Sequence, residues 1–174
     1  METNLVTEGN VTTPHGFIAG AAYAGIKTYA QNKMDVGILL SEKEWSSAGI
    51  YTTNKFVSPS VELTSNNVKN GKVKGVFVSS GIANAGVGTQ GMIDAKESLE
   101  HAAAHVEVDP IELAIGTTGV IGVELPMALI RSGIPNIEMS PEGGDAFARA
   151  IMTTDRVPKS AAVKFKLNGD AVTI

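Results

Sequence analysis

The hydrophobic positions along the chain form short runs, a pattern typical of β-strands separated by polar turns. The runs that fit a strand lie at 34–40, 48–53, 61–68, 72–79, 112–115, 161–167 and 170–174. We expect the strands at 34–40 and 48–53 to pair with each other across a polar turn. Asn70-Gly71 and Asn168-Gly169 each suit a tight turn, so the runs beside each dipeptide are expected to form a hairpin.

Three segments have the spacing of helices. One extends from Thr89 to about His105, with small and aliphatic residues on one face and charges on the other. A second begins at Pro126, because proline suits the first helical turn, and a third spans 145–152. Residues 1–10 are polar and are expected to be loose at their very end. No internal repeat or domain boundary is visible, so the sequence predicts one α/β domain over residues 1–174, with mixed, largely antiparallel sheets and flanking helices.

Composition and charge narrow the class of protein. The chain of 174 residues is 43% hydrophobic and 18% charged, as expected for an ordinary globular domain. A net charge of −4 without a basic run argues against a nucleic-acid partner. No apolar run is long enough to span a bilayer, and the N-terminus lacks the pattern of a signal peptide. Cysteine is absent, which excludes thiolate metal sites and fits a cytoplasmic location.

One stretch, residues 116–126, connects a predicted strand to a predicted helix through a glycine-containing turn. Gly119 and Gly122 let a ligand approach the backbone closely, and Thr117 and Thr118 add hydroxyl donors. One interpretation is a cradle for negative charge, either a bound anion or the oxyanion of an acyl transfer. The other is a tight turn capped by its threonines. The residues alone favour the second, since two glycines at this spacing are a weak signal.

Four separated segments resemble the ornithine acetyltransferase family, also called the bifunctional glutamate N-acetyltransferase family. The first is Thr117-Thr118-Gly119-Val120-Ile121-Gly122, followed by Leu125-Pro126-Met127. The others are Val11-Thr12-Thr13-Pro14-His15-Gly16-Phe17 with Ala24-Gly25-Ile26-Lys27; Ser80-Gly81-Ile82-Ala83-Asn84-Ala85-Gly86; and Ala150-Ile151-Met152-Thr153-Thr154-Asp155 with Pro158-Lys159. The resemblance covers essentially the whole chain and implies the self-processing, N-terminal-threonine (DmpA/ornithine acetyltransferase-like) fold, completed by a beta chain.

The resemblance also implies roles for particular residues. The Thr118 hydroxyl and the Gly119 N–H correspond to the oxyanion hole of an acyl transfer, and Thr153 corresponds to a substrate contact. Thr117, Asn84 and Thr154 are candidates to line the site. From the residues alone, Thr153 is better explained as part of a polar cluster at a helix end. Asn84 is explained equally well as a residue that holds its own loop.

Other polar residues carry weaker signals. Lys27 and Lys159 could attract carboxylates, but single lysines are usually solvated, and we expect both at the surface. His101 and His105 lie one helical turn apart, as metal ligands can. No third ligand is suggested nearby, so we expect a packing or surface role and no metal site.

The activity that the resemblance implies is transfer of an acetyl group from N2-acetylornithine to glutamate in arginine biosynthesis. The N-terminal threonine of a beta chain, released by autocatalytic cleavage, is the implied nucleophile, in an assembly of two alpha and two beta chains. No metal or organic cofactor is implied, and acetyl-CoA is a second acetyl donor in some members. Two alternatives stay open: a related self-processing N-terminal-threonine aminopeptidase or amidohydrolase, and a non-enzymatic anion-binding module.

Overall fold

The computed structural model describes residues 3–28, 33–43 and 46–174. Its strands in chain order are β1 (Thr3–Val6), β2 (Phe17–Ala22), β3 (Val36–Ser41), β4 (Gly75–Ile82), β5 (Leu113–Val120), β6 (Ala162–Leu167) and β7 (Asp170–Thr173). Its α-helices are α1 (Pro59–Val68), α2 (Gly88–His105), α3 (Met127–Gly133) and α4 (Gly144–Ala150). None of the helices in the described part of the chain is long and apolar enough to cross a membrane.

The larger sheet contains four strands in the order β2-β3-β4-β5. Neighbours β2 and β3, and β3 and β4, are antiparallel, whereas β4 and β5 are parallel. A parallel pair needs a crossover connection, which the long helix α2 supplies. Together with the antiparallel sheet β1-β6-β7, this arrangement confirms the prediction of mixed, largely antiparallel sheets with flanking helices.

The two faces of the larger sheet are covered by different helices. Val36 and Ile38 of β3 are fully buried in one core cluster with Leu99 and Ala102 of α2. Gly37 lies between them and faces the other way, because successive side chains of a strand alternate. A Cβ atom on Gly37 would lie 3.2 Å from Phe147 Cδ2 and 3.3 Å from Ala150 Cβ, so α4 packs closely on this second face.

Two predictions about strands are wrong. Residues 3–6, where the sequence predicted no strand, form β1, which pairs with β6. Residues 48–53 form no strand, although their composition suits one. The reason is that β3, their expected partner, already has β2 on one side and β4 on the other. A local sequence pattern indicates strand propensity, but a segment forms a strand only where a sheet has a free edge for it to pair with.

The predicted hairpin at Asn70-Gly71 is also wrong, because residues 61–68 belong to helix α1. Ser58 is the N-cap, and its hydroxyl accepts a hydrogen bond from the Val61 N–H at 3.4 Å. Pro59 follows in the first turn, where the missing N–H costs nothing. The serine followed by proline is a helix-start signal in the sequence, and the prediction of a strand at 61–68 did not take it into account. The second predicted hairpin, at Asn168-Gly169, is confirmed as β6 and β7.

Helix α1 covers the outer edge of β5 with hydrogen-bonding side chains. The Thr64 hydroxyl accepts from the Ile115 N–H at 2.8 Å and donates to the Ile115 carbonyl at 2.9 Å. The Asn67 amide donates to the Leu113 carbonyl at 2.8 Å. These side chains replace a neighbouring strand, so the edge is satisfied without a further β pairing. The helix therefore protects β5 along the half that enters the core.

The Asp35 carboxylate organises residues 24–27, which follow β2 and are called here the 24–27 loop. It is fully buried and accepts four backbone hydrogen bonds, from the N–H groups of Ala24, Gly25, Ile26 and Lys27, at 2.6, 3.1, 2.6 and 3.2 Å. A buried carboxylate is stable only when such donors surround it. One side chain thus satisfies the donors of the whole 24–27 loop and fixes its path.

We expect Asp35→Asn to lower the free energy of unfolding by about 2 kcal/mol or more, because the amide turns two donor hydrogens towards a cluster of N–H groups. Urea unfolding of the purified protein measures the loss. Asp94→Asn is the matched control, since the Asp94 side chain is also buried but its carboxylate, among the described residues, accepts a single hydrogen bond, from the Gln90 amide at 2.7 Å. Equal losses in the two variants would contradict this account of the loop.

Candidate active site

Strand β5 continues through the threonine and glycine residues that the sequence assigned to a turn. Thr117, Thr118 and Gly119 pair in register with Ser79, Ser80 and Gly81 of β4. The prediction of a turn directly after residue 115 is therefore wrong. A turn does follow, at residues 121–123, and α3 begins one residue after Pro126. The motif lies at the end of a strand, which holds it more firmly than a turn would.

The two threonines of the motif point to opposite faces of the sheet, as neighbours on a strand must. The Thr117 hydroxyl donates to the Ala83 carbonyl at 2.9 Å and lies 2.7 Å from the Ser60 hydroxyl, so it is fully engaged. Thr118 is exposed, and its hydroxyl makes no hydrogen bond to any described residue. Of the two, only Thr118 presents a hydroxyl that a ligand can use.

The backbone edge beside Thr118 is open because α1 begins next to Thr117 and covers only the earlier residues of β5. The first turn of α1 reaches β5 at Thr117, through Ser60, and residues 118–120 extend beyond it and are exposed. The backbone groups of Leu113 and Ile115 point towards α1. Gly119 lies further along the same strand, beyond the part that α1 covers, and is exposed next to Thr118.

Gly119 is required at this position by its surroundings as well as its conformation. Its φ is +132° and that of its partner Gly81 is +120°, values that residues with a side chain rarely adopt. A Cβ atom on Gly119 would overlap the Gly81 carbonyl and lie 2.7 Å from the Ile82 nitrogen. Two strands therefore approach closely at a glycine pair, directly beside the exposed donors.

A groove of about 480 Å³ contains most of the residues that the sequence nominated. Thr118 and Gly119 line it on one side, and Thr153 and Thr154, which follow α4, line it on another. A larger cavity of about 590 Å³ lies between residues 47–57 and α1, but none of the nominated residues lines it. We regard the smaller groove as the candidate site because it unites two segments that are far apart in the sequence.

Two of the nominated residues lie outside the lining of this groove. Thr117 points away from it, towards Ser60 and Ala83. Asn84 is fully buried with a φ of +49°, and its amide donates to the Gly91 carbonyl at 2.8 Å, near the start of α2. Asn84 thus holds its own loop, which is the simpler of the two interpretations that the sequence allowed.

Lys27 also lines the groove, although from the sequence we expected a solvated lysine at the surface. Its side chain is partly buried, and its ammonium group donates to the carbonyls of Met152, Arg149 and Ala150 at 2.7, 3.3 and 3.3 Å. Burial lowers the pKa of the Lys27 ammonium, the Asp35 carboxylate partly offsets that effect, and the charge of Lys33 adds to the lowering. The signal that could have revealed it is its place in the segment 24–27, which carries the family resemblance.

The surroundings of the groove are rich in positive charge. Lys27 and Lys33 line both the groove and an adjoining cavity of about 290 Å³, to which Arg149 and Arg156 also contribute. Asp155 is the acidic residue of that lining. Lys159 pairs with it and, with the Thr153 N–H, holds the pKa of the Asp155 carboxyl below its ordinary value. A chain with a net charge of −4 thus presents a basic region where small carboxylates would be attracted.

His101 and His105 have roles in surface pairing and packing. The His105 ring nitrogen Nε2 lies 2.7 Å from the Ile137 carbonyl, and His101 Nε2 lies 3.6 Å from a Glu97 carboxylate oxygen. Within the described ranges, no group of three or more histidine, aspartate or glutamate side chains is arranged to hold a metal ion.

Comparison with known proteins gives the family. The model of the ArgJ family matches residues 18–174. The chain belongs to the ArgJ family. It is 42% identical over 166 residues to the arginine biosynthesis bifunctional protein ArgJ of Dehalococcoides mccartyi, and 44% identical over 168 residues to that of Symbiobacterium thermophilum. Each match covers 95% of this chain but only 41% and 42% of the relatives, so the chain spans about two fifths of their length.

Solved ArgJ structures share the fold over almost the whole chain. The arginine biosynthesis bifunctional protein ArgJ from Bacillus halodurans has a TM-score of 0.92 at 34% identity, covering 99% of this chain and 91% of the solved one. Ornithine acetyltransferase complexed with ornithine from Mycobacterium tuberculosis has a TM-score of 0.90 at 35% identity, covering 99% and 93%. The resemblance in sequence and the predicted fold class are both confirmed.

We expect Gly119→Ala to destabilise the protein by roughly 2–4 kcal/mol, because a side chain at this φ is strained and overlaps β4. Gly116→Ala in the same strand is the matched control, since its Cβ atom would meet only Val78 Cγ1, at 3.5 Å, an ordinary contact. Thermal unfolding of the two variants provides the comparison. Equal melting temperatures would show that the glycine pair is not needed for packing.

Proposed function

We propose that this chain provides the oxyanion hole and part of the substrate site of an acetyltransferase that moves an acetyl group from N2-acetylornithine to glutamate. One observation carries the proposal. Thr118, whose hydroxyl bonds to none of the described residues, and the exposed Gly119 line the same groove as Thr153 and Thr154, which are remote in sequence. The names of the relatives and solved structures, which refer to arginine biosynthesis and to ornithine acetyltransferase, support the choice of substrates.

The proposed chemistry requires two donors aimed at one oxygen. Attack on an acetyl carbonyl produces a tetrahedral intermediate whose oxygen carries negative charge. Thr118 and Gly119 would each donate one hydrogen bond to it, and a preorganised donor contributes roughly 3–4 kcal/mol to the stability of the transition state. Since both donors lie on a strand held by β4 and α1, little reorganisation is needed when the charge develops. The basic surroundings of the groove would favour the carboxylates of both amino-acid substrates.

The nucleophile in this proposal is the N-terminal threonine of a beta chain. Its hydroxyl would attack the acetyl carbonyl while its own α-amino group, with an ordinary pKa near ~8, accepts the hydroxyl proton. The tetrahedral intermediate then collapses: the bond to the ornithine nitrogen breaks, that nitrogen takes the proton, and the acetyl group stays on the threonine as an ester. The amine of glutamate attacks this ester, its proton passes through the α-amino group to the threonine oxygen, and N-acetylglutamate and the free hydroxyl result. The reaction uses protein groups only, and acetyl-CoA enters only as an alternative acetyl donor.

Two observations support a second chain beside the groove. The curated relatives are more than twice as long as this chain, since it covers 41% and 42% of them, yet it covers 91% and 93% of the solved chains it matches. The segment after Gly119 also exposes apolar side chains: Val120 is 59%, Ile121 is 71% and Val123 is 46% exposed. An apolar cluster at the mouth of a polar groove is typical of a surface that a partner covers. We propose an assembly of two alpha and two beta chains.

We expect intact mass spectrometry and N-terminal sequencing of the purified protein to find a second polypeptide that begins with threonine. This outcome follows if the nucleophile is released by cleavage. The same preparation is then assayed with N2-acetylornithine and glutamate, and separately with acetyl-CoA and glutamate. A single uncleaved polypeptide without transfer activity would contradict the proposed function.

We expect Thr118→Ala to lower kcat for acetyl transfer by about 10²-fold, because one oxyanion donor is lost. The melting temperature should change little, since the Thr118 hydroxyl bonds to none of the described residues. Thr118→Ser is the control, because it keeps the hydroxyl and should retain most of the activity. Equal kcat values for the alanine variant and the wild-type protein would remove Thr118 from the mechanism.

A further inference from the structure

Lys27 connects two parts of the groove that have no direct covalent link. Its three ammonium hydrogens are matched by three carbonyl groups at the end of α4, those of Met152, Arg149 and Ala150. The last carbonyls of a helix have no partner within the helix, so a cation there both satisfies and neutralises them. Because these three carbonyls take up its donors, the ammonium group stabilises the protein structure, although Lys27 also lines the groove.

The backbone of Lys27 is anchored as firmly as its side chain. The Asp35 carboxylate accepts its N–H at 3.2 Å and also holds the three preceding residues. The Asp35 carbonyl in turn accepts the Ser80 N–H at 2.9 Å, which attaches this residue to β4. Lys27 therefore projects from a loop that is fixed to the larger sheet, and it reaches across to α4.

A second contact joins the end of α4 to the same strand. The Ser80 hydroxyl donates to the Ala150 carbonyl, and Ser80 is the register partner of Thr118. Gly81, the next residue, lies against Ile26, since a Cβ atom on it would be 2.9 Å from Ile26 Cγ2. The 24–27 loop, the end of α4 and the Thr118 strand thus meet around Ser80. The short segment from Ala150 to Thr153 begins at this junction.

We propose that Lys27 is a positioning residue that fixes the distance between Thr153 and the Thr118–Gly119 donors. The inference rests on the proposed function, because it treats Thr153 as a substrate contact. Met152, whose carbonyl accepts the shortest Lys27 hydrogen bond, directly precedes Thr153 in the chain. Without the ammonium group, the segment after α4 is held through Ser80 and loses its contact at Met152. The distance from Thr153 to Thr118 and Gly119 is then no longer fixed.

The test is a double-mutant cycle in the complete protein, with Lys27→Met and Thr153→Val made singly and together. We expect Lys27→Met to raise KM for N2-acetylornithine and glutamate about tenfold with a smaller change in kcat, because misplaced contacts weaken substrate binding. In the Thr153→Val background, Lys27→Met should change KM little, since both substitutions remove the same contact. Lys27→Arg keeps a donor and should restore most of the wild-type KM.

The cycle separates positioning from a direct effect of charge. If the Lys27 charge attracted substrate carboxylates by itself, its removal would raise KM equally in both backgrounds, and this additive result would overturn the proposal. Lys96→Met removes an exposed lysine on α2 and is the control for the loss of one positive charge. It should leave KM unchanged.

Hydrogen exchange gives a readout that does not depend on turnover. Amides of residues 151–155 should exchange faster in Lys27→Met than in the wild-type protein or in Lys96→Met. Unchanged exchange in this segment would overturn the proposal. Absence of transfer activity in the wild-type protein would contradict the proposed function. An active wild-type protein with an additive double-mutant cycle would contradict only the proposed role of Lys27.

Discussion

The buried Asp35 carboxylate is the interaction on which the geometry of the groove depends. A carboxylate without solvent is tolerated only when hydrogen-bond donors surround it, and the 24–27 loop provides four. The same requirement therefore stabilises the charge and determines the path of the loop. Lys27 leaves this loop towards α4, and Asp35 itself begins the run into β3. Through Asp35 and Lys27, the larger sheet and the 24–27 loop are linked to the end of α4, which Thr153 and Thr154 follow.

The open edge of β5 is the second constraint, and it arises from the length of α1. Side chains of α1 bond to the backbone of β5 at Leu113 and Ile115, and Ser60, in the first turn of the helix, contacts the Thr117 side chain. Beyond that point the strand still has its neighbour β4 but no cover on its outer side. An edge strand that is rigid yet uncovered over three residues can direct a backbone N–H at a ligand. A longer α1 would satisfy the same groups internally and remove the candidate site.

The sequence predicted the candidate site better than it predicted the strands. Thr118, Gly119, Thr153 and Thr154 meet in one groove, as the family resemblance implied, although their catalytic roles stay predictions. By contrast, residues 61–68 form a helix and not a strand. Their polar residues, Thr64 and Asn67, are explained by hydrogen bonds to a strand about fifty positions later in the chain. No local pattern contains that information, because the partner groups are distant in sequence.

The sequence by itself determined the class of fold, the helix at 88–105 and the hairpin around Asn168-Gly169. It also determined the family, whose motifs are short and contiguous. These features depend on side-chain periodicity and on turn residues, which act over a few positions. Only the tertiary structure decided that the Thr117 hydroxyl is hydrogen-bonded while the Thr118 hydroxyl bonds to none of the described residues, and that the Lys27 ammonium group donates to carbonyl groups. Both outcomes depend on which distant groups lie within hydrogen-bonding distance, a quantity that packing sets and periodicity does not.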